Sequence, residues 1–541
     1  MTDQPSDKRP EPMPLLVFKG RRAKASYLPQ EITGYRGNPF IEALPPILTE
    51  DEVIEALAYY PNYDEAERRL PSHLRLHLIQ SALQLFAPLP IHLDLERRFS
   101  RMIRASYQQR NPLSRDFWRD VVEGIEALES STTVVGNRPR PSPLGFTIIG
   151  FPGVGKSTSV ESVVSLYPQV IYHSHYGDRD FTHAQIVWLK LECPHDGSIK
   201  GLCLNFFQAI DDILGTNYEA NYAGGRRTVD EMLPQMARVA ANHGLGVLVI
   251  DEIQRLSHAK SGGGKRMLNF FVQVANTIGV PVVLVGTYAA KAILSGEFHQ
   301  IRRGTGQGDL VWDRMEEEVW SPEKDKKSKP GVWQLFLESL WTYQYVRNAC
   351  PLTEELSHVL YEETQGITDF AAKVYMLAQV RAIVSGEEVI TARIIRSVAR
   401  DSLRQAQKVL DALRRGDINS VTDIEDIHPI RIDDYIKQAQ KQLPRTKRTA
   451  EAEGATEAHP EISVTTSDTP QPPQTDVREA APKPRRRKPR RDKKSGAAAF
   501  EKGDLRGEAA DGVESGTPAN ESLQKAGLIQ SANEFLDEEA A

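Results

Sequence analysis

The sequence contains the stretch Gly150-Phe151-Pro152-Gly153-Val154-Gly155-Lys156-Ser157, which matches the pattern G-x-x-x-x-G-K-[ST] at every fixed position. The apolar residues 146–149 come directly before it and predict a short buried strand. Residues 158–166 come after it and predict a helix. A strand, a glycine-rich loop and a helix in this order are typical of a phosphate-binding loop, so the sequence predicts a P-loop NTPase.

The chemistry of this loop follows from its residue types. Glycines let the backbone bend until several N–H groups converge on one anion, and the helix N-terminus adds a favourable dipole. We expect Lys156 to reach the β- and γ-phosphates of ATP and the hydroxyl of Ser157 to hold Mg²⁺. The nucleotide-binding residues predicted in this region are Gly150, Phe151, Pro152, Gly153, Val154, Gly155, Lys156, Ser157 and Thr158.

A second motif supports the first. The run Val247-Leu248-Val249-Ile250-Asp251-Glu252 predicts an apolar strand that ends in two carboxylates. Asp251 is predicted to bind the nucleotide and its Mg²⁺, as a Walker-B aspartate does. Glu252 is predicted to be catalytic, because a carboxylate in this place can orient and polarise the attacking water.

The length and composition limit what the chain can be. Its 541 residues could form roughly three to four domains if all of them folded. The net charge of −6 indicates nothing about nucleic acid. The three cysteines are odd in number and match no zinc pattern, which favours a reduced, cytoplasmic protein. No apolar run approaches the ~18 residues of a membrane span, so we expect no membrane association.

The composition changes along the chain and suggests five regions. We predict a flexible arm over residues 1–35 and a helical region with a linker over residues 36–143. The α/β core follows over residues 144–310 and a helical lid over residues 311–415. Residues 416–541 are predicted to form a mostly disordered tail that binds partners and DNA. Within that tail, the strongly basic run of residues 483–494 could neutralise DNA phosphates.

Predicted strands and helices alternate through the core. The strands are expected at residues 146–149, 185–191, 246–250 and 280–285, and helices at 198–214 and 228–242. This alternation predicts a parallel sheet covered by helices on both faces. Thr287 follows the last of these strands, where ligands bind in open α/β sheets, and is a candidate sensor of the γ-phosphate or of the water. An ordinary threonine at a strand end is an equally good interpretation.

Two basic stretches near the core are harder to interpret. The loop of residues 254–266 follows the Walker-B carboxylates and is predicted to be a flexible, basic loop next to the nucleotide site, with a solvated hinge as the alternative. Arg302 and Arg303 follow the last predicted strand, and either could reach a nucleotide on a neighbouring subunit. An ordinary surface arginine pair is the alternative.

Several longer strings resemble one family, TnsC, the AAA+ ATPase regulator of Tn-seven-like transposons, which is related more distantly to TniB and MuB. The resemblance extends from about residue 35 to residue 413. The strings that carry it are Asn38-Pro39-Phe40-Ile41-Glu42-Ala43-Leu44-Pro45-Pro46, Tyr167-Pro168-Gln169-Val170-Ile171-Tyr172-His173, Leu204-Asn205-Phe206-Phe207, Val249-Ile250-Asp251-Glu252-Ile253-Gln254 and Met267-Leu268-Asn269-Phe270-Phe271.

The resemblance implies an AAA+ P-loop core with a parallel sheet, followed by an α-helical lid. It also implies an ATPase that oligomerises on double-stranded DNA as a ring or filament. Such proteins link a target selector of the TnsD or TniQ type to the TnsA and TnsB transposase subunits. By the same resemblance Thr287 is the first sensor and Arg302 or Arg303 the arginine finger. The DNA-binding candidates are Lys190, Ser198, Lys200, Lys260, Lys265 and Arg266.

Two other functions remain open from the sequence. An AAA+ helicase loader or replication initiator would share the nucleotide site but prefer single-stranded or origin DNA. A signalling NTPase would bind no DNA, which the basic loop and basic tail argue against.

Overall fold

The computed structural model describes residues 18–130, 145–224, 227–258, 279–290, 308–317 and 331–416. All of these residues lie in one compact unit, Met1–Glu457. The helices and strands below are numbered along this part of the chain. The basic run of residues 483–494 and the rest of the predicted tail beyond residue 416 lie outside it.

A five-stranded sheet with strand order β5-β6-β7-β2-β8 forms the centre of the fold. Every neighbouring pair is parallel, which confirms the predicted parallel sheet. Its side chains alternate between two apolar cores, with Val249 facing one and Leu248 and Ile250 facing the other. The strands are β2 (Phe146–Gly150), β5 (Trp188–Glu192), β6 (Val247–Asp251), β7 (Val282–Thr287) and β8 (Leu310–Trp312).

Helices connect these strands along the chain, and two of them, α7 (Ile199–Leu214) and α9 (Val229–Asn242), begin at side-chain caps that the sequence encodes. Ser198 accepts a hydrogen bond from the N–H of Gly201, and Thr228 forms a capping box with Glu231. Gly215, with φ +74°, ends α7 in the left-handed conformation that glycine allows. The helices are α6 (Lys156–Ser165), α7 (Ile199–Leu214), α8 (Tyr218–Tyr222) and α9 (Val229–Asn242).

A second, smaller sheet is absent from the predictions. It has strand order β1-β3-β4, and β3 (Val170–Tyr176) and β4 (Arg179–Ile186) form an antiparallel hairpin. The strand predicted over residues 185–191 is therefore wrong in extent, because its first residues belong to β4 and β5 begins at Trp188. The hairpin has polar and half-exposed faces, so it lacks the apolar run that marks a buried strand.

The prediction of a flexible arm over residues 1–35 is wrong for the described part of that range. Residues Arg22–Lys24 form β1, which pairs in parallel with β3. The guanidinium of Arg21 donates to the carbonyl of Leu166 at the end of α6, and that of Arg22 donates to Ile213 near the end of α7. Cations at helix C-termini are favourable, so the basic residues of this segment fasten it to the core.

The N-terminal region is helical, as predicted, and packs on the sheet. Its longest helix, α4, starts with Pro90 in the first turn and buries Leu95, Phe99 and Ile103 against the core that includes Phe146. Directly after α3 (Ser72–Leu78) the chain continues as a 3-10 segment at Ile79–Gln84. The helices are α1 (Pro39–Glu42), α2 (Glu50–Leu57), α3 (Ser72–Leu78), α4 (Pro90–Gln108) and α5 (Arg115–Ser130).

A helical lid follows the sheet, as predicted. Its last two helices are separated because the chain leaves the helical conformation at Leu403. The lid helices are α10 (Val332–Trp341), α11 (Glu354–Thr364), α12 (Thr368–Ser385), α13 (Ala392–Ser402) and α14 (Gln407–Arg414). Among the residues described, no helix is long and apolar enough to cross a membrane.

The lid is also joined to the N-terminal region. The fully buried guanidinium of Arg75 on α3 forms a two-bonded ion pair with Glu388, which follows α12. Arg75 also donates to the carbonyl of Tyr345, and the hydroxyl of Tyr63 donates to the carbonyl of Gln344. The N-terminal region therefore supports the lid as well as the sheet.

Candidate nucleotide site

The phosphate loop connects β2 to α6, as the sequence predicts. Gly153 and Gly155 have φ values of +78° and +89°, a conformation that side chains other than glycine rarely adopt. A Cβ atom at Gly150 would lie 1.8 Å from the carbonyl oxygen of Trp312, so the neighbouring strand also requires glycine there. The loop can therefore turn its backbone N–H groups toward an anion at the start of α6.

Lys156 lies folded into this loop. Its ammonium donates to the carbonyl of Phe151 at 2.6 Å and to that of Gly150 at 3.2 Å. The side chain is buried, whereas Ser157 is half-buried and Thr158 is exposed at the start of α6. All three residues line a cavity of about 820 Å³, together with the predicted loop residues Pro152, Gly153, Val154 and Gly155.

The two Walker-B carboxylates lie on the wall of the same cavity. Asp251, the last residue of β6, is 3% exposed, and its Oδ1 accepts the N–H of Glu252 at 2.8 Å. Glu252 adopts φ +60°, a left-handed conformation that is uncommon outside glycine. The Oε2 atom of Glu252 accepts a hydrogen bond from Nε2 of Gln254 at 2.6 Å.

Lys190, on the neighbouring strand β5, forms an ion pair with Asp251. Its ammonium lies 3.1 Å from Oδ2 of Asp251 and 2.7 Å from Oε1 of Glu161 on α6. Burial lowers the pKa of Lys190, but attraction to Asp251 and Glu161 outweighs it, so the pKa ends above its ordinary value. Lys190 is thus charged and links the phosphate-loop helix to the Walker-B strand.

Thr287 ends β7, the strand next to the Walker-B strand β6. It is 9% exposed and lines the cavity, and its N–H donates to Oε1 of Gln254 at 3.2 Å. The structure thus brings Thr287 to the same cavity as Lys156, Asp251 and Glu252. This is the position that a sensor of the bound phosphate needs.

The remaining walls come from the N-terminal region and the lid. The N-terminal wall is largely apolar and contains Leu83, Leu85, Phe86, Ala87, Leu89, Pro90, Ile91 and His92. The lid contributes Val332, Phe336, Ala372 and Lys373 on α10 and α12. An apolar cleft that continues from a polar phosphate loop suits a flat base attached to a phosphate chain.

The lid touches the phosphate loop directly. The N–H of Asp369 and the hydroxyl of Thr368 both donate to the carbonyl of Gly153, at 3.0 and 3.1 Å. Lys373 lies one turn along α12 and forms an ion pair with Asp369 at 2.6 Å. The first turn of α12 is therefore placed to respond to changes in the loop.

A buried hydrogen-bond chain joins the apolar wall to the loop. The N–H of Leu89 donates to Nδ1 of His92, whose Nε2 lies 3.0 Å from the hydroxyl of Ser159, and that hydroxyl donates to the carbonyl of Gly155. Burial lowers the pKa of His92 to about 4, so the ring is neutral and Nε2 carries the proton. No sequence motif pointed to His92 or Ser159.

The comparison with family models matches this region. Residues 143–294 match the family described as an AAA domain. The chain contains an AAA-type P-loop ATPase domain. This agrees with the strand order of the central sheet and with the loop, carboxylates and cavity described above.

Similar solved structures include a Walker-type ATPase of Pyrococcus abyssi, at 16% identity and a TM-score of 0.31, covering 63% of this chain and 89% of that one. The ORC2 protein of Aeropyrum pernix has 10% identity and a TM-score of 0.31, covering 63% and 84%. Drosophila ORC bound to DNA has 10% identity and a TM-score of 0.30, covering 62% and 83%. A comparison with curated proteins finds no match.

The structure corrects one DNA-binding candidate. Lys190 is 8% exposed and paired with two carboxylates, so it cannot meet a DNA phosphate without breaking a buried ion pair. Ser198 caps α7 through its hydroxyl, and Lys200 is half-buried on the first turn of that helix. The other DNA-binding candidates, Lys260, Lys265 and Arg266, lie outside the described residues, as do the arginine-finger candidates Arg302 and Arg303.

The residues present fit a magnesium-bound nucleoside triphosphate. Left-handed glycines and Lys156 suit its phosphates, and the hydroxyl of Ser157 with the carboxylate of Asp251 supplies the oxygen atoms that Mg²⁺ prefers. The cavity is large enough for a base and its phosphate chain.

Proposed function

We propose that this site binds ATP with Mg²⁺ and hydrolyses it. The observation that carries the proposal is the convergence of Lys156, Asp251, Glu252 and Thr287 on one cavity that opens at the phosphate loop. In this proposal the loop backbone and Lys156 hold the phosphates, while Ser157 and Asp251 hold the metal ion. Magnesium, when bound, neutralises phosphate charge and supports the leaving group.

Glu252 has the role of general base. Its carboxylate lines the cavity and accepts the proton of the attacking water as the new bond to phosphorus forms. Thr287 lies across the cavity and contacts the terminal phosphate or that water. Oriented groups of this kind lower the barrier mainly by holding the reactants in place and by stabilising developing charge.

We further propose that ATP binding controls assembly on DNA during transposition. The strings that resemble TnsC support this step, together with the basic run at residues 483–494. In this proposal ATP bridges neighbouring copies into a ring or filament on duplex DNA, with Arg302 or Arg303 reaching the neighbour's nucleotide. The assembled protein then connects a TnsD- or TniQ-type selector to TnsA and TnsB.

The test is electron microscopy and sedimentation of the full-length chain with duplex DNA, Mg²⁺ and a non-hydrolysable ATP analogue. We expect rings or filaments that require both the analogue and duplex DNA. A chain that stays monomeric under these conditions contradicts the proposed assembly. A clear preference for single-stranded DNA favours a helicase loader or initiator instead.

A second experiment addresses the tail. Deleting residues 483–494 should weaken binding to duplex DNA or to TnsB and leave ATP hydrolysis unchanged, because the run lies outside the ATPase domain. Undiminished binding of both partners argues that the run only keeps the protein soluble.

A further inference from the structure

The side chain of Gln254 spans the ends of β6 and β7. Its Nε2 donates to Oε2 of Glu252 at 2.6 Å, and its Oε1 accepts the backbone N–H of Thr287 at 3.2 Å. A primary amide carries both a donor and an acceptor on one short fork, as this pair of contacts requires. One side chain thus connects the proposed catalytic carboxylate to the proposed sensor.

The backbone at Glu252 is strained in the same place. Its φ of +60° is a left-handed conformation that is unfavourable for a residue other than glycine. Such strain persists only where the surroundings hold it. Here Asp251 accepts the N–H of Glu252, and Gln254 holds the far end of its side chain.

Gly286 makes room for this contact. A Cβ atom there would lie 2.5 Å from Cγ1 of Ile253 and 3.0 Å from Oε1 of Gln254. Any larger residue would push Ile253 or Gln254 away from the end of β7. The close approach of the two strand ends therefore depends on glycine at this position.

We propose that Gln254 is a positioning residue that fixes the Glu252 carboxylate and couples it to Thr287. This inference rests on the proposed ATP hydrolysis. A shift of Thr287 caused by the terminal phosphate pulls on Oε1 of Gln254 and turns Nε2, and with it the carboxylate. The same movement then senses the terminal phosphate and aligns the Glu252 carboxylate, the proposed general base.

Arg255 is the competing holder of Glu252. Its Nη2 lies 3.9 Å from Oε2 of Glu252, but its Nη1 donates to Glu192 and to the carbonyl of Cys193 at the end of β5. The guanidinium of Arg255 thus bonds mainly to residues at the end of β5. Of these two contacts to the Glu252 carboxylate, the one from Gln254 is the shorter.

The test uses the full-length chain and compares Gln254→Ala with Gln334→Ala, which removes a half-buried glutamine on α10 whose amide donates to Glu338 on the same helix. We expect Gln254→Ala to lower kcat by about 10- to 100-fold, the scale of a misplaced catalytic group. The affinity for a fluorescent ATP analogue should change less than twofold, and Gln334→Ala should match the wild type.

The same substitution in a Glu252→Gln background separates positioning from a structural role. If Gln254 acts through the carboxylate, Gln254→Ala should cause no further loss of single-turnover rate in that background. An equal loss in both backgrounds, or a loss of ATP affinity in proportion to kcat, overturns the proposal. So does an unchanged kcat in Gln254→Ala.

A wild-type chain that binds ATP without hydrolysing it contradicts the proposed function, and this result is distinct from the outcomes above. A high-resolution structure of Gln254→Ala then decides the inference by itself. Displacement of the Glu252 carboxylate or relaxation of its φ supports the positioning role. An unmoved Glu252 overturns it.

Discussion

The ammonium of Lys190 lies 3.1 Å from Oδ2 of Asp251, inside the sheet and below the nucleotide cavity. Glu161 completes the cluster from the phosphate-loop helix. The charged side chain of Lys190 therefore joins the phosphate-loop helix α6 to the Walker-B strand β6. Removing it leaves two carboxylates without their cation.

We predict that Lys190→Met lowers the free energy of unfolding by about 3–5 kcal/mol, the cost of removing one partner of a buried ion pair. Mg²⁺ with an ATP analogue should restore more stability to this variant than to the wild type, because the metal brings positive charge to Asp251. Denaturant unfolding with and without the ligand measures both effects. Lys200→Met is the control, and equal ligand effects in Lys190→Met and wild type contradict the prediction.

Lys156→Ala should weaken binding of ATP by about 10- to 100-fold, since a hydrogen bond from a charged donor contributes about 1.5–3 kcal/mol. Fluorescence anisotropy of a labelled ATP analogue measures the affinity. ATP-dependent assembly on DNA should be lost in parallel. Intact, nucleotide-responsive assemblies of this variant would refute the role assigned to Lys156.

Glu252→Gln should keep ATP binding and assembly but lower the rate of phosphate release by about 10²- to 10⁴-fold, the usual contribution of a general base. The amide keeps an oxygen that can accept the hydrogen bond from Gln254, so the geometry is retained. Release of inorganic phosphate under saturating ATP is the measurement. Turnover at the wild-type rate argues that another group activates the water.

The ion pair of Arg75 with Glu388 gives a test of the link between lid and N-terminal region. Arg75→Met should lower the free energy of unfolding by up to about 3–5 kcal/mol, because it removes the fully buried partner of Glu388 and leaves that carboxylate to the exposed guanidinium of Arg347, 4.0 Å away. Arg404→Met, which removes an exposed arginine paired with Asp401, should cost less than about 1 kcal/mol. Equal effects of the two substitutions in denaturant melts contradict the proposed link.

The phosphate loop and both Walker-B carboxylates could be found from the sequence because their signals are local. Gly153 and Gly155 allow the left-handed backbone of the loop, and Lys156 supplies its positive charge, all within one short stretch of sequence. The strands beside them are apolar on both faces, so they appear as continuous runs. The fold class follows from these runs and from their alternation with helices.

Lys190 shows where such reasoning fails. A lysine in a strand is usually exposed, and its burial here depends on Glu161 and Asp251, which are distant in sequence. The β3–β4 hairpin was missed for a related reason, because its faces are polar and half-exposed. Gln254 lies within a recognised motif, but its role appears only when the end of β7 is placed beside it.

The hydrogen-bond chain through His92 predicts a pH effect on stability. Burial lowers the pKa of His92 to about 4 in the folded chain, against 6.5 when it is unfolded. Between these values the unfolded chain binds more protons, so stability is complete above pH 6.5 and falls as the pH drops towards 4. The loss is on the order of 3 kcal/mol at about 1.4 kcal/mol for each unit of pKa.

His92→Gln should flatten this part of the stability profile, whereas His77→Gln, at an exposed position on α3, should leave it unchanged. A residual slope should remain, because burial also lowers the pKa of His183, to about 3. Denaturant unfolding at intervals between pH 7 and pH 4 measures the difference. If His92→Gln and the wild type lose stability equally, the result contradicts a neutral His92 in the folded protein. It then also contradicts the hydrogen-bond chain that runs from Leu89 through His92 and Ser159 to Gly155.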